Sequence, residues 1–148
     1  GVRETLAERA KVSIVAGINT LAQAAYAQAD TGSLLASYPE INVVIAFNEP
    51  TAVGAARALS ERGLGADTWL VGFDSNVETI DKLQDGVVDA LIVQNPYAMG
   101  YLGVESAYRL LSGQDGALEA TVDTATTIVD RDNMFTIDSQ KALFAFEE

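Results

Sequence analysis

Three short apolar runs, each followed by a polar residue, constrain the fold of this chain more than any other feature. The runs cover residues 43–47, 69–73 and 91–93, and the residues that follow them are Asn48, Asp74 and Gln94. Because each run is almost continuously apolar, it predicts a strand buried on both faces, as in a parallel sheet. The carboxyl ends of parallel strands lie at one edge, where ligands of open α/β sheets bind. The sequence therefore predicts that two amides and a carboxylate meet at that edge.

Helical patterns separate these runs. The predicted helices cover residues 1–10, 20–38, 50–62, 76–86 and 96–112, and further extended segments cover residues 12–16 and 121–129. Thr20 is the predicted N-cap of the second helix, with Leu21 and Leu35 on its buried side. A steady alternation of strand and helix indicates right-handed βαβ units. We therefore predict a single α/β unit in which a parallel sheet is flanked by helices on both faces.

The composition excludes several kinds of site. The chain has 148 residues, of which 21 are acidic, 9 are basic and none is His or Cys, so its formal net charge is −12. A surface of this charge repels phosphate backbones, and nucleic-acid binding is not expected. Without Cys and His, the chain lacks thiolates, the commonest metal ligand and the usual general base. We expect neither a metal nor a cofactor.

The polar residues at the strand ends suit a neutral ligand with several hydroxyl groups. The amides of Asn48 and Gln94 both donate and accept, and the carboxylate of Asp74 accepts two charge-assisted bonds from hydroxyls. In the alternative interpretation the residues cap the helices that follow them. Asn48 would then cap the helix at Pro50, and Asp74 or Ser75 would cap the next one. The presence of such residues at all three strand ends favours the binding site.

Other candidate residues have structural interpretations. The aromatic side chains of Phe47, Trp69 and Phe73 are more typical of core than of stacking on a ligand, and Tyr97 and Tyr101 are predicted to pack. Glu49 is expected to interact with the dipole of the helix that it starts. Residues 130–133 lack the glycine and the distal glutamate of a calcium loop and predict a turn.

Several segments of the sequence, taken in order, resemble one protein family. Asn48-Glu49 and residues 71–75, 93–97 and 99–104, in this order, resemble the sugar-binding proteins of bacterial ABC importers, of the ribose and galactose type. Asp123-Thr124 and Asp132-Asn133 are similar to the late crossover strand of that family. The resemblance implies the second lobe of a type I periplasmic-binding-protein fold, over about residues 1–94. Residues 95–148 would then supply the segments that cross to a first lobe.

The resemblance also implies a role for individual residues. Asn48, Asp74 and Gln94 match positions that hydrogen-bond the hydroxyl groups of the sugar. The hinge between the lobes would include Gln94, Asn95 and Pro96 in one crossover and Asp123 and Thr124 in another. The expected location is extracytoplasmic, either in a periplasm or lipid-anchored at the outer face of the cell membrane. The expected partners are a small sugar and the membrane permease of an ABC importer.

The resemblance implies that the chain corresponds to only the second half of such a protein. The first lobe would then be missing, and so would the first strand of the second lobe, which lies inside the sheet in this family. A sheet without an interior strand has unpaired edges, and we expect the missing N-terminal lobe or a second copy of this chain to complete it. The helix that starts at Pro96 would contact the missing lobe through Met99, Leu102 and Leu110.

The sequence fits two other functions less well than sugar transport. The effector-binding domain of a lactose-repressor-type transcription regulator shares the fold, but residues 94–97 and 121–124 are more similar to the transport proteins. An enzyme would need two acids set against each other across a cleft. Only Asp74, with Glu49 nearby, is available at the predicted edge, so the chain is not expected to be an enzyme.

Overall fold

The computed structural model describes residues 1–9, 11–114, 116 and 118–144. Within them the strands are β1 (Val43–Ile45), β2 (Trp69–Phe73), β3 (Ala90–Val93) and β4 (Thr127–Asp130). The helices are α1 (Val2–Ala7), α2 (Ala24–Ser37), α3 (Glu49–Arg62), α4 (Val77–Gln84), α5 (Pro96–Leu111) and α6 (Ile137–Phe144). The α/β class predicted from the alternation of strands and helices is confirmed.

The four strands form one sheet in the order β1-β2-β3-β4. The first three are parallel, with Ile45 opposite Val71 and Phe73 opposite Ile92. The three apolar runs therefore form neighbouring strands, as predicted, and their carboxyl ends lie at the same edge of the sheet. The fourth strand runs antiparallel to β3, with Val93 opposite Thr127. Its direction could not be read from its composition of Thr and Val.

The strand predicted over residues 12–16 is wrong. These residues form no helix or strand, and the side chains of Val12 and Ile14 are exposed. A strand needs a neighbour that pairs with its backbone N–H and C=O groups. Among the described residues no segment pairs with the outer edge of β1, and residues 12–16 do not reach it as a strand. The strand β1 is itself left as an edge of the sheet.

The start predicted for the second helix is also wrong. The helix α2 begins at Ala24, with Gln23 and not Thr20 at its N-cap. Leu21 and Ala22 have φ values of 54° and 53°, which a helix cannot include, and Leu21 is 65% exposed and not buried. The buried position predicted for Leu35 is confirmed.

The helix α3 covers one face of the sheet. Leu70 and Leu91 are fully buried on this face, and a Cβ placed on Gly72 between them would lie 3.0 Å from Ala52 of α3. The core that results joins Leu59 of α3 to side chains from the strands, the other helices and the loops, including Leu35, Leu83, Val88, Val129 and Leu143. On the opposite face, Trp69 and Ile128 are mostly exposed.

The helix α5 contributes little to this core. None of its residues is buried. Met99 and Leu110 are exposed, as we expect if they contact a first lobe that is not part of this chain. Tyr97 and Tyr101 were predicted to pack, but in this chain both are exposed. The residues at the ends of the helix match the prediction, because Pro96 opens it and Gly113 follows it with a φ of 69°.

An ion pair joins α3 to α4 on the surface. The guanidinium of Arg57 donates from Nε and Nη2 to the two carboxylate oxygens of Glu78, both at 2.7 Å. These hydrogen bonds, with the charge of Arg57, lower the pKa of Glu78, and the same pair raises the pKa of Arg57. A depressed carboxylate pKa stabilises the folded chain above the pKa of the unfolded state, and this contribution is lost as the pH falls through the folded value.

We therefore expect Glu78→Gln to lower the melting temperature slightly at pH 7, where both groups are charged. The difference from the wild-type protein should disappear as the pH falls below about 4. Thermal unfolding between pH 7 and pH 3 measures this dependence. Glu40→Gln is the matched control, because Glu40 is exposed and has no hydrogen-bond partner among the described residues. Equal pH profiles for the two variants would contradict the assignment.

Candidate functional site

The three polar residues predicted from the sequence lie at one edge of the sheet. Asn48 follows β1, Asp74 follows β2 and Gln94 follows β3. Because these strands are parallel neighbours in register, all three residues leave the sheet on the same side. The structure thus brings together residues that lie 20 or more positions apart in the chain.

Asp74 and Gln94 are in direct contact. The side-chain Nε2 of Gln94 donates to both carboxylate oxygens of Asp74, at 3.1 Å to Oδ1 and 2.9 Å to Oδ2. The backbone N–H of Gln94 also donates to Oδ1, at 3.3 Å. A carboxylate can accept about four hydrogen bonds, so these three leave room for about one more, on Oδ2. This is fewer than the two hydroxyl groups expected from the sequence alone.

The backbone of Asp74 has an uncommon conformation. Its φ is 60°, in the left-handed region that few residues other than glycine adopt, although Asp and Asn tolerate it best. Its N–H donates to the carbonyl of Ile92 in β3, at 2.9 Å, which holds it there. Such conformations cost free energy and occur often at binding sites. The turn directs the chain away from β2 before α4 begins.

Asn48 caps the helix α3, as the alternative interpretation predicted. Its Oδ1 accepts from the backbone N–H of Thr51 at 3.0 Å and from the hydroxyl of Thr51 at 2.6 Å. Its Nδ2 has no hydrogen-bond partner among the described residues. Asn48 therefore offers N–H donors at the edge, whereas the donors of Gln94 are used by Asp74. A ligand at this edge would meet donors from Asn48 and acceptors from Asp74 and Gln94.

The alternative interpretation, in which Asp74 or Ser75 caps α4, is wrong. Neither Asp74 nor Ser75 caps this helix. Instead Oδ1 of Asn76 accepts from the N–H of Thr79 at 2.9 Å, and the hydroxyl of Thr79 accepts from the N–H of Asn76 at 2.9 Å. An Asn followed three residues later by Thr could have identified this reciprocal cap. Because Asn76 performs it, the carboxylate of Asp74 does not have to.

A further hydrogen bond joins two corners of the edge. The carboxylate of Glu49 accepts from Nδ2 of Asn76 at 2.5 Å. Glu49 is the first residue of α3, next to Asn48, and Asn76 lies two residues after Asp74. The bond therefore fixes the start of α3 against the start of α4. Glu49 keeps the position in the first turn expected from its dipole interaction, but this partner was not foreseen.

Aromatic side chains border the polar edge. The rings of Phe47 and Phe73 lie 5.9 Å apart between centroids, and these residues directly precede Asn48 and Asp74. Phe47 is 60% exposed, so its assignment to the core is wrong for this chain. The same holds for Trp69, which is 64% exposed at the opposite end of β2. Among the described residues no helix covers these side chains as α3 covers Leu70, so they are exposed.

The predicted hinge residues lie beside the same edge. Residues 94–96 join β3 to α5, where Oδ1 of Asn95 accepts from the N–H of Ala98 at 2.9 Å and caps the helix. Asp123 and Thr124 precede β4, the antiparallel neighbour of β3. Both segments therefore reach the sheet where Asp74 and Gln94 meet. Their part in a lobe movement stays a prediction.

Other regions of the chain offer weaker candidates for a site. A shallow groove at the opposite end of the sheet is lined by Trp69, Asp89 and Arg131, among others, but the carboxylate of Asp89 accepts from the N–H of Leu70. Residues 130–133 form the predicted turn, closed by hydrogen bonds to Oδ1 of Asp130. Within the described part of the chain, no cluster of side chains could hold a metal ion. No helix there is long and apolar enough to cross a membrane.

Comparison with known proteins identifies the family. Residues 1–115 match the periplasmic binding protein domain. The chain belongs to this family. The ribose import binding protein of Salmonella typhimurium is 36% identical over 96 residues, which are 65% of this chain and 32% of that protein. The resemblance recognised from residues 48–104 is therefore confirmed, and this chain spans about a third of the length of the curated relatives that it matches.

Solved structures agree with this assignment. A solute-binding protein of an ABC transporter from Agrobacterium vitis, with bound D-fucose, superposes with a TM-score of 0.86 at 29% identity, over 96% of this chain and 48% of that one. A carbohydrate transporter solute-binding protein from Agrobacterium radiobacter, in complex with D-arabinose, gives 0.87 at 29% identity, over 95% and 48%. The predicted fold is thereby confirmed, and this chain covers about half of each neighbour. None of these relatives supports the repressor alternative.

Proposed function

We propose that this chain is the second lobe of a two-lobed sugar-binding protein of an ABC import system. About residues 1–94 would form the lobe, and about residues 95–148 would supply the crossovers to the first lobe. The observation that carries the proposal is the edge at which Asn48, Asp74 and Gln94 converge in a chain of the periplasmic binding protein family. Relatives with bound D-fucose and D-arabinose indicate monosaccharides as the ligand class.

Each residue of the edge has a distinct part in this proposal. The unpaired Nδ2 of Asn48 donates to a sugar oxygen. Oδ2 of Asp74 accepts a hydroxyl hydrogen in a charge-assisted bond, which is about twice as strong as a neutral one. Oε1 of Gln94 provides a further acceptor. The negative charge of Asp74 disfavours anionic ligands, so a neutral sugar fits better than a sugar acid or a sugar phosphate.

The two lobes would close on the sugar through the crossovers. Residues 94–96 and Asp123-Thr124 reach the sheet beside the site. A small change of backbone angles in a few such residues is enough for a hinge. The exposed side chains of α5, among them Met99 and Leu110, would then pack on the first lobe. This packing would supply the partner that they lack in the present chain.

The family sets the wider context. Relatives are import binding proteins, so the two-lobed protein would act outside the cytoplasm, in a periplasm or anchored by a lipid at the outer face of the membrane. Its partners would be a monosaccharide and a membrane permease. The net charge of −12 is consistent with a protein that does not bind nucleic acid. No chemical transformation of the sugar is part of the proposal.

A ligand screen of the two-lobed protein tests this function. Neutral pentoses, hexoses and their alcohols are added one at a time, and the melting temperature is measured. A sugar present at 100 times its Kd should stabilise the protein by about 2.7 kcal/mol, which raises the melting temperature by several degrees. The corresponding sugar phosphates are the matched controls and should give no shift. The absence of a shift with every neutral sugar at millimolar concentration would contradict the proposal.

A further inference from the structure

The amide of Gln94 is committed to one neighbour. Both of the hydrogen bonds recorded for Nε2 go to Asp74, one to each carboxylate oxygen. The amide oxygen Oε1 has no hydrogen-bond partner among the described residues. Both side chains are partly buried, so water competes less for these bonds than on an open surface. The amide of Gln94 therefore holds the carboxylate of Asp74.

The carboxylate of Asp74 needs such a partner. Its backbone is fixed by the bond from its N–H to Ile92, but that bond does not set the rotation of the carboxylate group. Without the amide of Gln94, only the backbone N–H of residue 94 would remain on Oδ1. The carboxylate could then turn, and a sugar hydroxyl would have to order it on binding, at a cost in free energy. With the amide in place, Oδ2 keeps one acceptor direction free.

We propose that Gln94 is a positioning residue for sugar binding, which acts by donating its amide hydrogens to Asp74. The inference rests on the proposed function, because it assigns the orientation of a carboxylate that contacts the sugar. Since Gln94 also begins the crossover to α5, the same bond ties the binding carboxylate to the segment that leads to the first lobe. A role limited to direct contact through Oε1 would not require the bond to Asp74.

The variant Gln94→Glu separates the two roles. In this variant a second carboxylate lies about 3 Å from Asp74, and two like charges at this distance cannot both ionise easily. At low pH the shared proton restores a donor toward Asp74, which imitates the amide. At higher pH both groups ionise and repel each other, and the position of Asp74 is lost. The replacement keeps an oxygen acceptor at the place of Oε1 throughout.

The test measures sugar affinity of the two-lobed protein by calorimetry between pH 5 and pH 8, with a sugar found in the screen. We expect Gln94→Glu to bind within a few-fold of the wild-type protein near pH 5 and about tenfold to hundredfold more weakly near pH 8. Gln94→Leu should bind about tenfold to hundredfold more weakly at every pH, because it cannot donate. The wild-type affinity should change little.

The controls distinguish the possible failures. Glu49 is an acidic group of this edge and Asp123 precedes β4; both are present in every variant, so any titration of theirs appears equally in the wild-type profile. Melting temperatures without sugar check that each variant folds. If the wild-type protein binds no sugar, the proposed function fails. If the wild-type protein binds and Gln94→Glu keeps its affinity at pH 8, the positioning role fails and direct contact through Oε1 is supported.

Discussion

Replacing Asp74 with asparagine should weaken sugar binding by the two-lobed protein about tenfold to hundredfold. Hydrogen bonds to a charged group contribute about 1.5–3 kcal/mol, and the amide that replaces the carboxylate is neutral. The NH2 group of the new asparagine would also face either the sugar or Nε2 of Gln94. Nε2 is itself a donor, so it would lose its acceptor in the second case. Asparagine is chosen because it tolerates the φ of 60° at this position, whereas alanine would add backbone strain.

Calorimetric titration of the wild-type protein and Asp74→Asn with the same sugar measures this loss. The matched control is Asp67→Asn, which removes one negative charge beside the opposite end of β2, where Asp67 is exposed. The control should bind like the wild-type protein. An Asp74→Asn variant with unchanged affinity would exclude Asp74 from sugar contact, even if other residues at the edge bind the sugar.

The second large effect is expected on stability, from Gly54→Ala. Gly54 lies in α3 where α2 crosses it, and a Cβ there would lie 2.3 Å from the carbonyl oxygen of Ala24 and 2.5 Å from the Cβ of Ala27. Backbone atoms of α2 cannot move aside as a flexible side chain could, so the helices must separate. Overpacking of this kind costs about 1–3 kcal/mol or more. This exceeds the gain of about 1 kcal/mol from alanine as a helix former.

Urea unfolding of the two-lobed protein and its variants measures this change. The control is Gly32→Ala in α2, where the nearest atom to the new Cβ is Nε of the flexible Arg62 side chain, at an ordinary contact distance of 3.6 Å. The control should be as stable as the wild-type protein or slightly more stable. Equal stabilities for Gly54→Ala and the wild-type protein would show that α2 and α3 are not packed as closely as described.

The sheet and the candidate site at its edge were predictable from local signals. Runs such as residues 69–73 are continuously apolar because both faces of an interior strand pack, and the polar residue after each run marks where the strand leaves the sheet. Parallel direction then follows from the helices between the strands. These rules place Asn48, Asp74 and Gln94 at one edge without any knowledge of side-chain contacts.

The contacts within the edge were not predictable in the same way. Whether Asn48 or Asp74 caps a helix depends on where the chain turns, and the φ of 60° at Asp74 moves the cap of α4 to Asn76. The bond between Asp74 and Gln94 joins residues 20 positions apart and depends on side-chain rotation. Sequence pattern gives the positions of such groups but not their pairing.

The remaining errors concern segments that have no neighbour to pair with them or bury them in the described part of the chain. Residues 12–16 have the composition of a strand but no partner to pair with in this chain. Phe47 and Tyr97 are aromatic residues of the kind that usually packs in a core. Both are exposed here, because no described part of the chain covers them. Local sequence reports what a segment can form, whereas burial and pairing depend on what lies beside it.

A crystal structure of the two-lobed protein with its sugar would show whether the sugar lies at the edge formed by Asn48, Asp74 and Gln94. We expect sugar oxygens within about 2.5–3.2 Å of Nδ2 of Asn48 and of Oδ2 of Asp74, at the carboxyl edge of β1 and β2. A sugar bound elsewhere, for example in the groove beside Trp69 at the opposite end of the sheet, would contradict it. So would a sugar in the cleft that contacts neither Asn48 nor Asp74.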